Sequence, residues 1–177
     1  MKWEDKKIKS ILIRYLILAL IAIPGLDIFY FLFLPLTKYP VYFGLKLFYS
    51  PVLLNNVIFI GSRSIEIIGA CVAGSAYFFL LILNLSIPNI ELKKRLKIIL
   101  SSFSILLGIN IIRIYLLSLM YLHGSSLFDI THKIFWYLGS TIFIVLIWFL
   151  NVWMFKIKEI PFYSDLKFMY KISSLKK

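Results

Sequence analysis

The sequence predicts an all-α membrane protein: a four-span helical bundle with an interfacial helix and a short outward-facing β-hairpin between spans one and two. Three observations lead there. Of 177 residues, 61% are hydrophobic and 16% carry charge, where a soluble domain averages about 45–50% apolar and about 25% charged. Four apolar stretches are long enough for the ~20 residues that a bilayer crossing takes. The basic residues gather at the ends of those stretches. With a mean hydropathy of +0.91, the chain has too little polar surface to cover a water-soluble globule. A soluble enzyme, a disordered tail and a disulfide-stapled module are thereby excluded. The length suits a single integral membrane domain over 1–177.

The predicted spans cover about 11–34, 70–87, 98–121 and 133–155. They are expected to be helices because backbone polar groups in lipid must be satisfied within the segment. The opening MKWEDKKIKS is basic and precedes an apolar run, as in a signal peptide. That run is long and no small-residue cleavage site follows, so it reads as an uncleaved first span. Pro24-Gly25 predicts a kink in it, and Asp27 lies near its far end. Residues 37–49 place Lys38 and Lys46 among aromatics, the pattern of an interfacial amphipathic helix. Residues 57–60 and 64–68 are β-prone runs around Gly61-Ser62-Arg63, which predicts a hairpin with a three-residue turn.

Net charge is +12. Such a balance suggests nucleic acid in a soluble protein, but here the charges flank apolar segments and topology explains them. Fifteen of the twenty basic residues fall on one side of the four-span arrangement. They are Lys2, Lys6, Lys7, Lys9 and Arg14, then Lys93, Lys94, Arg95 and Lys97, then the tail residues Lys156, Lys158, Lys167, Lys171, Lys176 and Lys177. Lys38, Lys46, Arg63 and Lys133 fall on the other side. The positive-inside rule predicts cytoplasmic termini, a cytoplasmic tail over 156–177, and an outward hairpin and 122–132 loop.

Arg113 is the first candidate for chemistry. A guanidinium inside an apolar helix costs ~2.5–3.5 kcal/mol on insertion scales and marks a functional-site candidate. It is open to a plainer reading, snorkelling or pairing with a carboxylate to hold the bundle. Asn110 precedes it by three residues on the same helical face. Cys71, the single cysteine, opens the predicted second span. It reads either as a small buried hydrophobe or as a thiolate favoured by a helix N-terminus. Counting from Pro88 and from Lys97 puts Cys71 and Arg113 roughly 25 Å and 24 Å above the cytoplasmic ends of their helices, at similar heights. His132 opens the fourth span with Asp129 one turn before it, and His123 is a weaker candidate in the same loop. Either histidine alone reads as a solvated loop residue. A thiol, an imidazole and a guanidinium at one membrane face are what thiol acyl transfer needs: nucleophile, proton carrier and a cation for developing negative charge. Two histidines and one cysteine without tight spacing make a poor metal site. No phosphate loop, HExxH or GxSxG is present, and no cofactor is expected.

IEIIGACVAGSA around Cys71, NIIRI with Asn110 and Arg113, and FDITHKIFWYLGSTIF with His132 resemble the exosortase/archaeosortase family of membrane cysteine transpeptidases, over about residues 52–150. The resemblance implies a Cys, Arg and His active site. It also implies partners: precursors ending in a short motif, one transmembrane helix and a basic cytoplasmic end. Such enzymes cleave near the motif at the outer face of the cell membrane and pass the new carboxyl end to a lipid or other acceptor. On that reading Cys71 is the nucleophile that forms an acyl-thioester. Arg113 stabilises thiolate or oxyanion or donates a proton, His132 is general base and acid or a transition-state stabiliser, and Asn110 supports them. A non-catalytic membrane subunit or carrier, holding an anionic lipid headgroup on Arg113, is the alternative. No nucleic acid is expected on either reading.

Overall fold

The computed structural model describes residues 3–173 of the chain; Lys2, Lys176 and Lys177, counted above in the basic clusters, lie outside the described residues. The chain is mostly helical, with one small three-stranded sheet. Among the described residues, three helical stretches are long and apolar enough to cross a membrane: Asp27–Lys46, Leu92–Leu122 and Phe128–Phe155.

The first apolar run is two helices. Helix α1 (Trp3–Ala22) stops where Pro24, with no N–H to continue the ladder, meets Gly25 at φ +64. Helix α2 (Asp27–Lys46) starts immediately after this turn. The span expected over 11–34 is therefore broken, and the interfacial helix expected over 37–49 is not a separate element. Residues 37–46 are the second half of α2, which runs through Pro35 and Pro40. Its buried residues, Phe29, Phe33, Thr37, Val41 and Leu45, recur every fourth position on one face. Both prolines are exposed, so packing holds the helix along the stripe while the prolines sit off it.

The second predicted span, 70–87, is also divided. Helix α3 (Gly69–Val72) and helix α4 (Gly74–Leu85) meet at Ala73, which is left-handed at φ 61, ψ 40. Helix α4 is 12 residues long, about 18 Å. Helix α5 (Leu92–Leu122) has 31 residues, about 46 Å, and takes in the whole basic cluster that the sequence places in a loop. Arg95 is accordingly buried instead of flanking the bundle. It donates to the carbonyls of Asn84 (2.7 Å), Leu85 (3.1 Å) and Ile87 (2.7 Å), and so satisfies acceptors that the end of α4 would leave orphaned.

The last apolar stretch runs without a break from helix α6 (Phe128–Ile134) through a π-helical turn (Phe135–Gly139) into helix α7 (Ser140–Phe155). The basic tail contains a further helix, α8 (Tyr163–Ile172). It docks through Asp165, whose carboxylate receives a hydrogen bond from Arg14 at 2.9 Å.

Strands β1 (Val52–Leu54), β2 (Val57–Ile60) and β3 (Arg63–Glu66) pair antiparallel in that order. Ile60 faces Arg63 across the turn, so the turn is Gly61-Ser62, two residues and not three, with Gly61 at φ +58. Arg63 belongs to the strand.

Two apolar clusters set these elements. In one, the Phe33 and Tyr77 rings stack at 3.7 Å, and Phe103 meets Tyr77 edge-on at 5.3 Å, joining α2, α4 and α5. In the other, Ile58 and Ile67 from the sheet region bury against Val41, Leu45 and Ile114. Between α4, α5 and α7, the buried amides of Asn84 and Asn151 both donate to the hydroxyl of Ser102 at 3.0 and 3.2 Å.

Candidate active site

The site forms where β3 hands the chain to α4. Ile67 is anchored in the second cluster, so the backbone after it must turn sharply, and α3 is that turn. The Cys71 N–H donates to the Ile68 carbonyl at 2.9 Å. Cys71 is half-buried and is the third residue of a four-residue helix. It therefore does not open a long helix as the sequence implies. The N-terminus of α4 begins at Gly74, beyond the left-handed Ala73, so Cys71 does not sit at the start of that helix.

A different group supplies positive charge. Arg113 Nη2 donates to the Cys71 carbonyl at 3.2 Å, which holds the guanidinium beside the residue that bears the thiol. Asn110 Nδ2 donates to the same carbonyl at 2.9 Å, and more weakly to that of Val72 at 3.4 Å. The carbonyls freed by the helix break thus take donors from one face of α5, which fixes the backbone of Cys71 against that helix. Arg113 pairs with no carboxylate among the described residues. Its Nε is buried without a hydrogen-bond partner. A buried donor left open loses ~1–3 kcal/mol of solvation.

Cys71, Arg113 and His132 line one cavity of about 540 Å³. His132 is exposed on α6, its ring stacked on Phe128 (5.5 Å, 10° between planes) and edge-on to Trp136 (6.0 Å). Among the described residues Asp129 makes no hydrogen bond to it. The aromatic rings, not a carboxylate, orient the imidazole. His123 caps α5, with Nδ1 2.8 Å from the Leu119 carbonyl, and stands apart from the cavity lining. Ser64, Glu66 and their neighbours on β3 also line this cavity.

Tyr30 also lines the cavity and has no counterpart in the sequence reading. Its ring fills the space left by Gly69 and Gly74; a Cβ on Gly74 would lie 2.6 Å from the ring. The pair of glycines five residues apart was the available signal. Among the described residues no three of His, Cys, Asp or Glu converge in a way that would hold a metal ion.

Comparison of the chain with protein-family models, with curated proteins and with solved structures gives no match. The chemistry of the cavity therefore rests on its own residues. It offers a thiol, an imidazole and a guanidinium that has no carboxylate partner among the described residues.

Proposed function

We propose that this chain is a cell-membrane cysteine transpeptidase of the exosortase/archaeosortase type, acting on precursors that end in a short motif, one transmembrane helix and a basic tail. The observation that carries the reading is Arg113: unpaired by any carboxylate, with a buried open Nε, bonded to the residue that bears the thiol and facing the cavity that His132 also lines. Arg95, which holds the bundle, spends its donors on three backbone carbonyls, whereas Arg113 makes one such bond and keeps its Nε open.

In this reading the first crossing is α1 with α2, the second α3 with α4, the third α5 and the fourth α6 to α7. The charge asymmetry puts both termini in the cytoplasm and the sheet outside. His132 takes the Cys71 proton, and the sulfur attacks the scissile carbonyl carbon. Arg113 stabilises first the thiolate and then the tetrahedral oxyanion. The C–N bond breaks as His132 returns the proton to the leaving amine. A hydroxyl or amine of a lipid headgroup, or water, then attacks the thioester, and the C–S bond breaks to restore the thiol.

The test is intact mass of a candidate precursor co-expressed with wild type, Cys71→Ser and Cys71→Ala. Processing by wild type alone is expected, because a hydroxyl is far less ionised than a thiol at neutral pH. Normal processing by Cys71→Ala would leave the alternative: a non-catalytic subunit or carrier that holds an anionic lipid through Arg113.

A further inference from the structure

The cavity wall formed by β3 is the edge of a sheet. In an antiparallel ladder, residues alternate between turning both backbone groups to the partner strand and turning both away. The Ile67 N–H donates to the Asn56 carbonyl at 2.9 Å, which sets the phase. Ile65 and Arg63, facing Ile58 and Ile60, therefore spend their backbone groups on β2. Ser64 and Glu66 turn theirs away from it. The sheet order ends at β3, so these two N–H donors and two C=O acceptors point to its open side. Both residues are exposed and both line the cavity that contains Cys71.

The direction of the strand is defined as well. Arg63 donates to the Tyr121 carbonyl near the end of α5, Ile67 packs with Ile114, and Cys71 accepts from Asn110. From Arg63 to Cys71 the chain thus descends alongside α5 toward the end of the bundle where Arg95 sits.

We infer that β3 is the docking edge for the substrate: the extended segment before the scissile bond adds as a fourth strand, parallel to β3, paired with Ser64 and Glu66. This rests on the transpeptidase reading for the identity of the substrate. A precursor whose transmembrane helix follows its motif must run from the outer face into the bilayer, the same direction as β3. Parallel addition delivers its chain past Glu66 to Cys71, whereas antiparallel addition would aim the transmembrane helix away from the membrane. Main-chain pairing supplies affinity that does not depend on side chains, and it uses edge groups that no strand of the sheet takes up.

With Cys71 replaced by Ala the chain has no cysteine, which permits a register test without catalysis. Ser64→Cys and Glu66→Cys are each made in the Cys71→Ala background. Each is oxidised in membranes with single-cysteine variants of a precursor that the wild type cleaves. Neighbouring strands lie about 4.7–4.9 Å apart, within disulfide reach. The expected result is a cross-link maximum that moves two residues toward the precursor's C-terminus on going from position 64 to 66. A maximum moving two residues the other way, or no positional preference for a precursor that is cleaved, overturns parallel edge pairing and leaves the transpeptidase reading standing. Failure of the wild type to cleave any such precursor overturns both. In the active protein, Ser64→Pro removes an outward N–H at a position where an edge strand tolerates proline. It is expected to slow processing about tenfold more than Ser64→Ala, which changes the same side chain but keeps the N–H. Equal rates for the two variants, at equal protein level, count against the pairing.

Discussion

Arg14 and Asp165, 151 positions apart in the chain, form a buried ion pair at 2.9 Å. Arg14 also donates to the Leu85 carbonyl at 3.0 Å, and the Tyr15 hydroxyl donates to the other oxygen of Asp165 at 3.3 Å. The first helix, the end of α4 and the tail helix are held at one point, at the far end of the bundle from Cys71. Removing one partner of a buried pair strands the other charge, at about 3–5 kcal/mol. Asp165→Ala is therefore expected to lower the temperature of aggregation in detergent markedly. Asp165→Asn, which keeps an acceptor, is expected to lose less. Equal melting of both variants and the wild type would show that the tail helix contributes nothing to the fold.

Arg113 separates a catalytic from a structural role by its conservative variants. Lysine keeps a cation but lacks the planar fork that can bond the Cys71 carbonyl and an oxyanion together. Arg113→Lys and Arg113→Gln are expected to insert and stay folded while processing slows by about 10²–10³, the loss typical of a removed oxyanion donor. His132→Ala is expected to behave likewise. Wild-type rates in a stable Arg113→Gln protein would take this residue out of the reaction.

Gly74 is where a single methyl is expected to deform the site. The added Cβ of Gly74→Ala would lie 2.6 Å from Tyr30 Cε1 and 3.1 Å from Cδ1, so the ring must move. Overpacking of this kind costs about 1–3 kcal/mol. Tyr30→Leu in the same chain removes the obstruction, and the double variant should recover most of the lost thermal stability. Additive losses would show that Tyr30 is not what the methyl meets.

The charge asymmetry predicts topology directly. In a Cys71→Ala background, Ser62→Cys and Ser125→Cys should react with an impermeant maleimide in intact cells. Lys94→Cys and Tyr170→Cys should react only after permeabilisation. Labelling of position 94 but not 62 would invert the orientation and put the candidate site in the cytoplasm.

Long apolar runs made the helices legible, and counting residues from the basic ends brought Cys71 and Arg113 to one height before any contact was visible. The breaks were harder to read. The expected boundary between a span ending at 34 and an interfacial helix starting at 37 does not exist, because α2 runs through Pro35 and Pro40 by burying Phe33, Thr37 and Val41 on the other face. Ala73 carried no turn signal, since alanine rarely goes left-handed; the break there is enforced by the sheet on one side and Tyr30 on the other. Helix α8 was hidden in a segment read only for its lysines, and β1 is three residues long. Arg95 was read as a flanking charge, although its partners are carbonyls, which no charge pattern reveals.

The π-helical turn at Phe135–Gly139 has an angular consequence. Such a turn amounts to one residue more than an α-helix would use, and one residue is about 100° of rotation. Everything before the turn, Phe128 and His132 included, is thereby set out of phase with α7 by that angle. The imidazole faces the thiol's cavity because of this single surplus residue, while α7 keeps Ile147 and Asn151 buried. The two jobs of one continuous helix, closing the bundle and presenting an imidazole to the cavity, are thus uncoupled by a change of phase. A chain shortened by one position anywhere in 135–139 would keep its core and turn its histidine aside.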